Sequence, residues 1–390
     1  MSASEQLALE EGGPSWQLWL RTGLAPTRPA ALGKRALLLA TLCFAPLLVF
    51  SALAGLATGD RVAVPFARDF AVYARFLLAI LLLVLADAAV AGRIRAVVEH
   101  FLDAGLVDDE TRPRFGAVLA SARRLVSSPW VELAMIAVAY GGSVSVVHTH
   151  LHDGVASWHA LPAEGGEERL TAAGWWYMLV SLPAFQFLFM RWIFRGVVWA
   201  RVLAQVSRLP LRLVATHPDQ SGGLAFVAIG QSGFAILVLA ASASLSAVMA
   251  DEVVYGGVPL ESLYPSMAAF AVLATLIVLA PLATFAPKLS ALKREALFAY
   301  AKLSSLHDSA FDRKWRRSEA DPEALLGDPD ASSLADLATG YERARALRPI
   351  PVNLPAVGPL LVAAALPMLP LIATKVPLKD ILKGLLKVVM

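Results

Sequence analysis

The sequence predicts an all-α, polytopic membrane protein, and three observations lead to this fold class. Of the 390 residues, 57% are hydrophobic and 17% are charged, and the mean hydropathy is +0.61. A water-soluble chain of this size could not cover so much apolar surface with polar groups. The apolar residues also form long runs without alternation, which excludes barrel strands and leaves helices as the structures that can cross lipid.

Six apolar runs are long enough to cross a bilayer. A spanning helix needs about 20 apolar residues, because the hydrocarbon core is about 30 Å thick and each residue rises about 1.5 Å. We therefore predict six transmembrane helices within residues 36–287. They are 36–57, 71–91, 130–147, 174–190, 224–250 and 263–285.

Residues 1–35 are predicted to form an interfacial segment. Trp16, Trp19 and Leu20 precede Arg21, a composition typical of a helix lying against lipid headgroups. We expect no secretory signal peptide, because the first apolar run begins only at Ala36 and is long enough to remain in the membrane.

The distribution of lysine and arginine predicts the orientation. Residues 1–35 and the predicted loops 92–129 and 191–223 are rich in these cations, whereas the alternate connections contain few or balance them with acidic residues. Cations of short loops stay on the cytoplasmic side. The expected location is a bacterial cytoplasmic (inner) membrane, with the N-terminus in the cytoplasm.

Residues 288–352 form the largest hydrophilic region after the sixth predicted span. The region contains a helical pattern, a charged run at 312–317 and a second short helical pattern near Ser333. We predict a cytoplasmic helical subdomain that is too small for a large core of its own.

The final region, 353–390, combines a proline-rich apolar segment with a basic tail. Pro355, Pro359, Pro367 and Pro370 disfavour a straight helix, since each removes a backbone donor. A seventh span would place the tail lysines outside, against the charge rule. We therefore favour a hairpin that returns the tail to the cytoplasm, with a seventh span as the alternative. The apolar and lysine spacing from Leu378 onward predicts an amphipathic helix.

Ionisable and polar groups within the spans are the first candidate site. Asp87 is expected about 24 Å along the second span, where a charge is costly. It could handle protons or cations, but we favour an ion pair with Arg191 or Arg195.

Single polar groups also occur within spans, where interhelical hydrogen bonds or a solute path could explain them. They are Gln186 and Gln231, while Arg75 lies near a span end and is expected to extend toward water.

Histidines cluster after the third span. They are His148, His150, His152 and His159. Helical or extended spacing could bring two imidazoles to one metal ion, or the group could sense extracytoplasmic pH. Solvated histidines explain the pattern more simply, so we expect no metal and no cofactor.

The connection before the fifth span contains a Pro-Asp step followed by paired glycines. His217, Asp219, Gly222 and Gly223 are the residues of interest. Asp can bond the following backbone and glycine permits left-handed backbone angles, so we predict a shaped turn. A tight entry to the helix is favoured, and a cytoplasmic gate or ligand loop is the alternative.

Several function classes lack their sequence signatures. Cys43 is the single cysteine, which leaves no disulfide framework and no cysteine-based zinc site. No phosphate-binding loop, serine nucleophile elbow or paired-histidine zinc helix is present in the sequence. The basic residues follow membrane topology and do not form a nucleic-acid stripe. We therefore expect neither an enzyme nor a nucleic-acid partner.

Three pieces of the sequence carry a resemblance. They are HPDQSGGL at 217–224, SLADL with YE and RPIPV across 333–352, and the lysine-bearing tail after Pro377. Together they resemble an uncharacterised family of bacterial multi-pass inner-membrane proteins. The resemblance implies a shared fold and a bacterial membrane location, and it implies no activity or site residue.

Passage of an ion or small solute is the leading functional hypothesis, because intramembrane polar groups and a proline-broken segment are typical of permeation proteins. The alternative is a membrane scaffold or sensor that binds a cytoplasmic protein. The expected partners are the lipid bilayer and either a cytoplasmic protein or a second copy of the chain. A lipid-modifying enzyme using His217 and Asp219 is a third possibility. A wet cavity reaching Asp87, Gln186 or Gln231 would favour permeation, and a dry core with an exposed apolar patch would favour the scaffold or sensor.

Overall fold

Helices account for most of the structure. The computed structural model describes residues 12–24, 29–150, 157–162, 168–317 and 329–373. Within these ranges the helices are α1 (Gly13–Arg21), α2 (Pro29–Leu53), α3 (Phe70–Asp103), α4 (Arg112–Val126), α5 (Pro129–His150), α6 (Ala172–Val206), α7 (Ala225–Val254), α8 (Leu260–Arg316), α9 (Pro329–Ala346) and α10 (Leu354–Ile372). Two short antiparallel strands, β1 (Ala160–Pro162) and β2 (Glu168–Leu170), pair with Ala160 opposite Leu170.

Seven helices of the described chain are long and apolar enough to cross a membrane. They are α2, α3, α5, α6, α7, the apolar part of α8, and α10. The six runs predicted from the sequence fall on the first six of these helices. The fold class is therefore confirmed as an all-α, multi-pass membrane protein.

Several helices continue well beyond their apolar runs. Helix α3 extends to Asp103, α6 extends to Val206, and α8 is 57 residues long. The predicted loops 92–129 and 191–223 are consequently helical over much of their length, with α4 inside the first. Hydropathy marks only the part of a helix that suits lipid, whereas the backbone continues to coil until a residue or turn stops it.

The spanning helices run alternately in opposite directions, which gives the bundle two chemically different ends. We call the end that carries Asp69 and Asp251 the acidic end. The opposite end, which carries Arg35 and Arg212, is the basic end. Helix α2 starts at the basic end, and α3 starts at the acidic end.

Helix α3 lies at the centre of the bundle and contacts α2, α6 and α7. Phe76, Ile80 and Leu83 are at most 1% exposed, so one face of α3 is fully buried. The side chains recur at a spacing of three to four residues, which places them on one helical face. Their burial fixes the rotation of α3 and therefore the direction in which its polar residues point.

The proline-rich segment crosses the bundle as a helix. Beside α7, the hydroxyl of Ser242 donates to the carbonyl of Ala364 (2.5 Å) and that of Ser246 donates to the carbonyl of Pro367 (2.7 Å). The bonded residue that comes later in α7 pairs with the residue that comes later in α10. The two helices therefore run parallel, from the basic end to the acidic end. A 3-10 turn at Leu366–Met368 accommodates Pro367.

For residues 354–373 the favoured hairpin is therefore wrong, and the seventh-span alternative describes the structure. The serine hydroxyls of α7 bond carbonyls beside the prolines, which is the kind of compensation that a proline-containing helix needs in lipid. Residues 374–390, including the predicted amphipathic helix, lie outside the described residues.

The described parts of the region 288–352, residues 288–317 and 329–352, extend the bundle at the basic end. Helix α9 packs along the end of α8, and Lys293 Nζ donates to the carbonyl of Leu347 (2.9 Å). The N–H of Arg348 donates to the carbonyl of Gln220 (2.8 Å). Two pieces of the sequence resemblance, the segment 217–224 and the stretch 333–352, are thus in direct contact.

The direction of α10 can be tested with topology reporters. We expect reporters fused after Gly257 and Ala373 to lie on the same side of the membrane, and one fused after Arg317 to lie on the other, because α10 crosses the bundle. Activity of reporters that function on only one side measures this directly. A hairpin would instead place Ala373 and Arg317 on the same side.

Candidate functional site

Asp87 forms a buried ion pair near the basic end. Its side chain is 3% exposed; Arg195 Nη1 donates to Oδ1 at 2.5 Å, and Arg35 Nη2 donates to Oδ2. The predicted pairing of Asp87 with Arg195 is confirmed. Arg35 was missed as a partner because it lies at the start of the first span, where sequence reasoning used it only to set the orientation.

Aromatic rings and a further cation surround this pair. Arg195 lies over the ring of Trp192 (4.8 Å) and Arg35 over that of Trp19 (5.5 Å), which are favourable cation–π positions. Arg191 lies one helical turn before Arg195 and is 6% exposed. We call Arg35, Arg191 and Arg195 the arginine cluster.

Helix α1 docks onto this end of the bundle. Glu132 of α5 accepts hydrogen bonds from the backbone N–H of Ser15 (2.9 Å) and from the Ser15 hydroxyl. Trp16 is 8% exposed and Trp19 contacts Arg35. The described part of the predicted interfacial segment is therefore partly buried against protein, which amphipathicity alone could not distinguish from a lipid surface.

The two intramembrane glutamines hold neighbouring helices together. Gln231 of α7 accepts from Trp199 Nε1 (2.8 Å) and donates through Nε2 to the carbonyl of Val278 (2.8 Å). Gln186 of α6 accepts from the hydroxyl of Ser143 (3.4 Å). The interhelical hydrogen bonds are confirmed. Gln231 also lies at the edge of a mainly apolar cavity of about 250 Å³ between α6, α7 and α8.

The histidines do not share one cavity in the described chain. His148 lines one cavity and His159 lines another, while only the backbone of His150 is described and His152 lies outside the described residues. His159 Nδ1 is 3.0 Å from the hydroxyl of Ser157. Among the described residues, no group of three or more His, Cys, Asp or Glu could hold a metal ion.

The connection 217–224 is a turn organised by Asp219. Its carboxylate accepts the backbone N–H groups of Ser221 (2.8 Å), Gly223 (3.1 Å) and Ala225 (3.0 Å). Helix α7 begins at Ala225, so Asp219 lies at the positive end of this helix. The tight-entry interpretation of the turn is therefore supported.

The two glycines and the contact between His217 and Asp219 are consistent with this turn. Gly222 and Gly223 have φ of +66° and +93°, where a side chain would cause strain. His217 Nδ1 lies 2.8 Å from the Asp219 carboxylate. Burial by itself raises the pKa of Asp219, but the backbone donors and His217 outweigh it and hold the pKa below its ordinary value. The turn borders a cavity of about 280 Å³ that also includes His100 and Arg212.

The acidic end contains a polar and aromatic cavity of about 460 Å³, which we call the acidic-end pocket. Three carboxylates, one guanidinium and four aromatic or imidazole rings contribute to its wall. They are Asp69, Asp251, Glu252, Arg75, Trp158, Tyr177, Tyr255 and His159. Mixed aromatic and charged walls around a cavity of this size are typical of small-molecule sites.

Two π-helical turns shape the pocket. One turn is Tyr73–Ala79 of α3, and the other is Tyr177–Ser181 of α6. Arg75 of the first turn donates from Nη1 to the hydroxyl of Tyr177 in the second, at 3.1 Å. Such turns are rare in helices and occur frequently at functional sites, because the extra residue re-aims the side chains around it.

Two of the carboxylates fix the pocket wall. Asp251 near the end of α7 accepts the backbone N–H groups of Phe70 and Ala71, both at 3.1 Å. Asp69 accepts from the N–H of Val72 (3.1 Å) and from Trp158 Nε1 (2.8 Å). The start of α3, the end of α7 and the strand-bearing connection are thereby joined around one cavity.

Sequence reasoning did not find this pocket. In the sequence, Asp69, Asp251 and Glu252 indicate only a side of the membrane that is poor in cations, and Arg75 is expected only to extend toward water. The available signal was the concentration of acidic and aromatic residues in connections on one predicted side of the membrane. Their convergence depends on helix packing, which the local sequence does not encode.

Comparisons with protein-family models, with curated protein sequences and with solved structures find no match for this chain. The geometry of the acidic-end pocket and of the Asp87 ion pair therefore carries the functional argument.

Removal of the Asp87 charge should destabilise the bundle. We expect Asp87→Asn to lower the free energy of unfolding in detergent by about 3 to 5 kcal/mol, because two buried arginines lose their anion. Adding Arg195→Gln to this variant should recover part of the loss. Asp103→Asn, at the exposed end of the same helix, is the control. Unchanged stability of Asp87→Asn would contradict a structural role for the pair.

Protonation of Asp219 should weaken the turn. Since its folded-state pKa is lowered, its contribution to stability is complete above the ordinary value of 3.8 and is lost as the pH falls through the lowered folded-state pKa. Asp219→Asn should cost about 1 kcal/mol at neutral pH and remove this part of the acid sensitivity. Unfolding measured at about pH 7 and pH 3 tests both effects, with the exposed Glu110→Gln as control. Identical pH dependence in Asp219→Asn and wild type would refute the assignment.

Proposed function

We propose that this protein is a membrane sensor that binds a small cationic solute in the acidic-end pocket. The observation that carries the proposal is the composition of that pocket. Three carboxylates against one guanidinium leave an excess of two negative charges in a cavity of about 460 Å³. A negative potential in a cleft attracts cations and opposes anions.

The rings of the pocket favour an organic cation. Trp158 and Tyr177 meet edge to face with ring centroids 5.6 Å apart, and Tyr177 is fixed by its bond to Arg75. Aromatic faces attract ammonium groups through the ring quadrupole, most strongly where water is excluded. Asp69 and Asp251 already accept hydrogen bonds from the protein. Glu252 is therefore the carboxylate best placed to form an ion pair with a cationic solute.

A sensor is favoured over a permeation protein because buried apolar side chains lie between the pocket and Asp87 along α3. Along α3, the buried side chains of Phe76, Ile80 and Leu83 separate Arg75 from Asp87. Asp87 itself is bonded at both oxygens, and Gln231 is 2% exposed and bonded on both sides. The polar residues expected to form a path thus hold helices together.

The basic end offers a surface for a protein partner. On α8, Phe298 is 78% exposed, and Leu303 and Leu306 are also exposed. Helix α7 connects this end to the pocket, since it begins at the Asp219 turn and ends beside Asp251. A solute that shifts α7 or α3 would therefore change the position of residues at both ends.

The proposed setting is a bacterial inner membrane, with the basic end in the cytoplasm. The excess of lysine and arginine at this end supports the orientation. No catalytic reaction is assigned. The Asp219 carboxylate accepts three backbone N–H groups, which leaves it poorly suited to the lipid chemistry considered for His217 and Asp219.

Permeation of the same solute is a second candidate. The observation that favours it is the 3-10 turn of α10, at Leu366–Met368, because interrupted helices are typical of transport proteins. In this alternative the acidic-end pocket is the entry to the path.

Ligand titration tests the proposed function. We expect choline to bind purified protein and its neutral analogue 3,3-dimethylbutan-1-ol to bind at least roughly fivefold more weakly, a difference of about 1 kcal/mol. Glu252→Gln should weaken choline binding by a similar factor, and Asp60→Asn, an exposed carboxylate outside the pocket lining, should not. Isothermal titration calorimetry measures the affinities.

Equal affinity for choline and its neutral analogue, or no binding of either, would refute a cation site. Flux measured in liposomes separates the two candidate functions. Binding without choline flux supports the sensor, whereas flux that depends on Glu252 supports permeation.

A further inference from the structure

The basic end contains more buried positive charge than its carboxylates neutralise. Arg35, Arg191 and Arg195 are 1%, 6% and 1% exposed, and Asp87 and Glu132 are 3% and 6% exposed. Within the residues that the structure describes, these three cations against two anions leave an excess of one positive charge. An uncompensated charge away from water is costly, so a structure that retains one generally provides an anion.

The two carboxylates are already engaged. Asp87 accepts Arg35 at one oxygen and Arg195 at the other. Both oxygens of Glu132 accept from Ser15, one from the backbone N–H and one from the hydroxyl. The carboxylates of the described residues therefore bond only part of the cluster.

Among the protein atoms that the structure describes, buried donors of two arginines have no hydrogen-bond partner. They are Nε and Nη1 of Arg35 and Nη2 of Arg191. Buried polar groups are almost always bonded, so an unbonded guanidinium nitrogen in a site of excess positive charge leaves a donor available to an anionic acceptor. Arg35 and Arg195 share one carboxylate, and Arg191 is one turn from Arg195, so the three guanidinium groups are neighbours.

From this arrangement we propose that the arginine cluster binds a phosphate-type oxyanion. Guanidinium groups match such anions because their planar N–H donors can bond two oxygens at once. Arg35 lies near the start of α2, at the basic end. From this end either a phospholipid headgroup or a free phosphate ion could reach the arginine cluster. Trp19 of α1 covers Arg35 on its other side. The proposal is independent of the acidic-end pocket.

Phosphate binding can be measured on the full chain in lipid-depleted detergent. We expect inorganic phosphate to bind and to raise the melting temperature at constant ionic strength, where chloride and gluconate do not. In a parallel experiment, protein in phosphatidylcholine nanodiscs receives phosphatidylglycerol, and native mass spectrometry detects retained lipid. Stabilisation by free phosphate identifies the ion as the source, and retention of phosphatidylglycerol identifies the headgroup.

Arg191→Gln is the informative variant, because it removes an unbonded donor and leaves both bonds to Asp87 intact. It should weaken binding of the effective ligand about tenfold, the loss expected for one charged hydrogen bond. Arg201→Gln, an exposed arginine on the same helix, should leave the affinity unchanged.

Wild-type protein that neither binds phosphate nor retains phosphatidylglycerol would overturn the proposal, even if the Arg191→Gln variant failed to fold. Equal loss of binding in Arg191→Gln and Arg201→Gln would also overturn it, because the effect would then be one of net charge. Loss confined to Arg191→Gln supports the buried site.

Discussion

The bond network around Asp87 is the interaction on which the arrangement of the bundle depends. One carboxylate joins Arg35 of α2 and Arg195 of α6 to the central helix α3. In lipid, these charges have no alternative partner in the solvent, so separation of the helices would expose them at high cost. Apolar packing alone cannot give this specificity, since lipid chains are as apolar as the helix surfaces. The pair therefore fixes which helices are neighbours and at what depth.

Carboxylates accept backbone N–H groups beside both ends of α7. Asp219 accepts the N–H of Ala225 at the start of α7, and Asp251, near the end of α7, accepts the N–H groups of Phe70 and Ala71 at the start of α3. Each carboxylate satisfies donors that a helix start leaves unbonded. The same residues therefore stabilise helix ends and shape the two polar cavities beside them. This dual use places two polar cavities at the ends of the bundle, while buried apolar side chains of α3 lie between them.

Some site residues could be predicted and others could not, for reasons that concern distance along the chain. The Asp87 and Arg195 pair was predictable because both charges lie inside apolar runs at similar depth, where pairing is the least costly state. Arg35 is 52 residues from Asp87 and stands at the edge of its run, where an arginine equally suits the membrane surface. His148 and His159 are close in sequence but line different cavities, so nearness along the chain did not predict a shared site.

Hydropathy and turn chemistry are local properties, so the all-α membrane fold, the six apolar helices and the turn at Asp219 follow from the amino-acid sequence. The course of α10 across the bundle depends on tertiary packing, in which the hydroxyls of Ser242 and Ser246 donate to its carbonyls. Tertiary packing also forms the acidic-end pocket and the arginine cluster. These features depend on side chains brought together from separate helices and connections, and their approach is set by how the helices pack and rotate against one another.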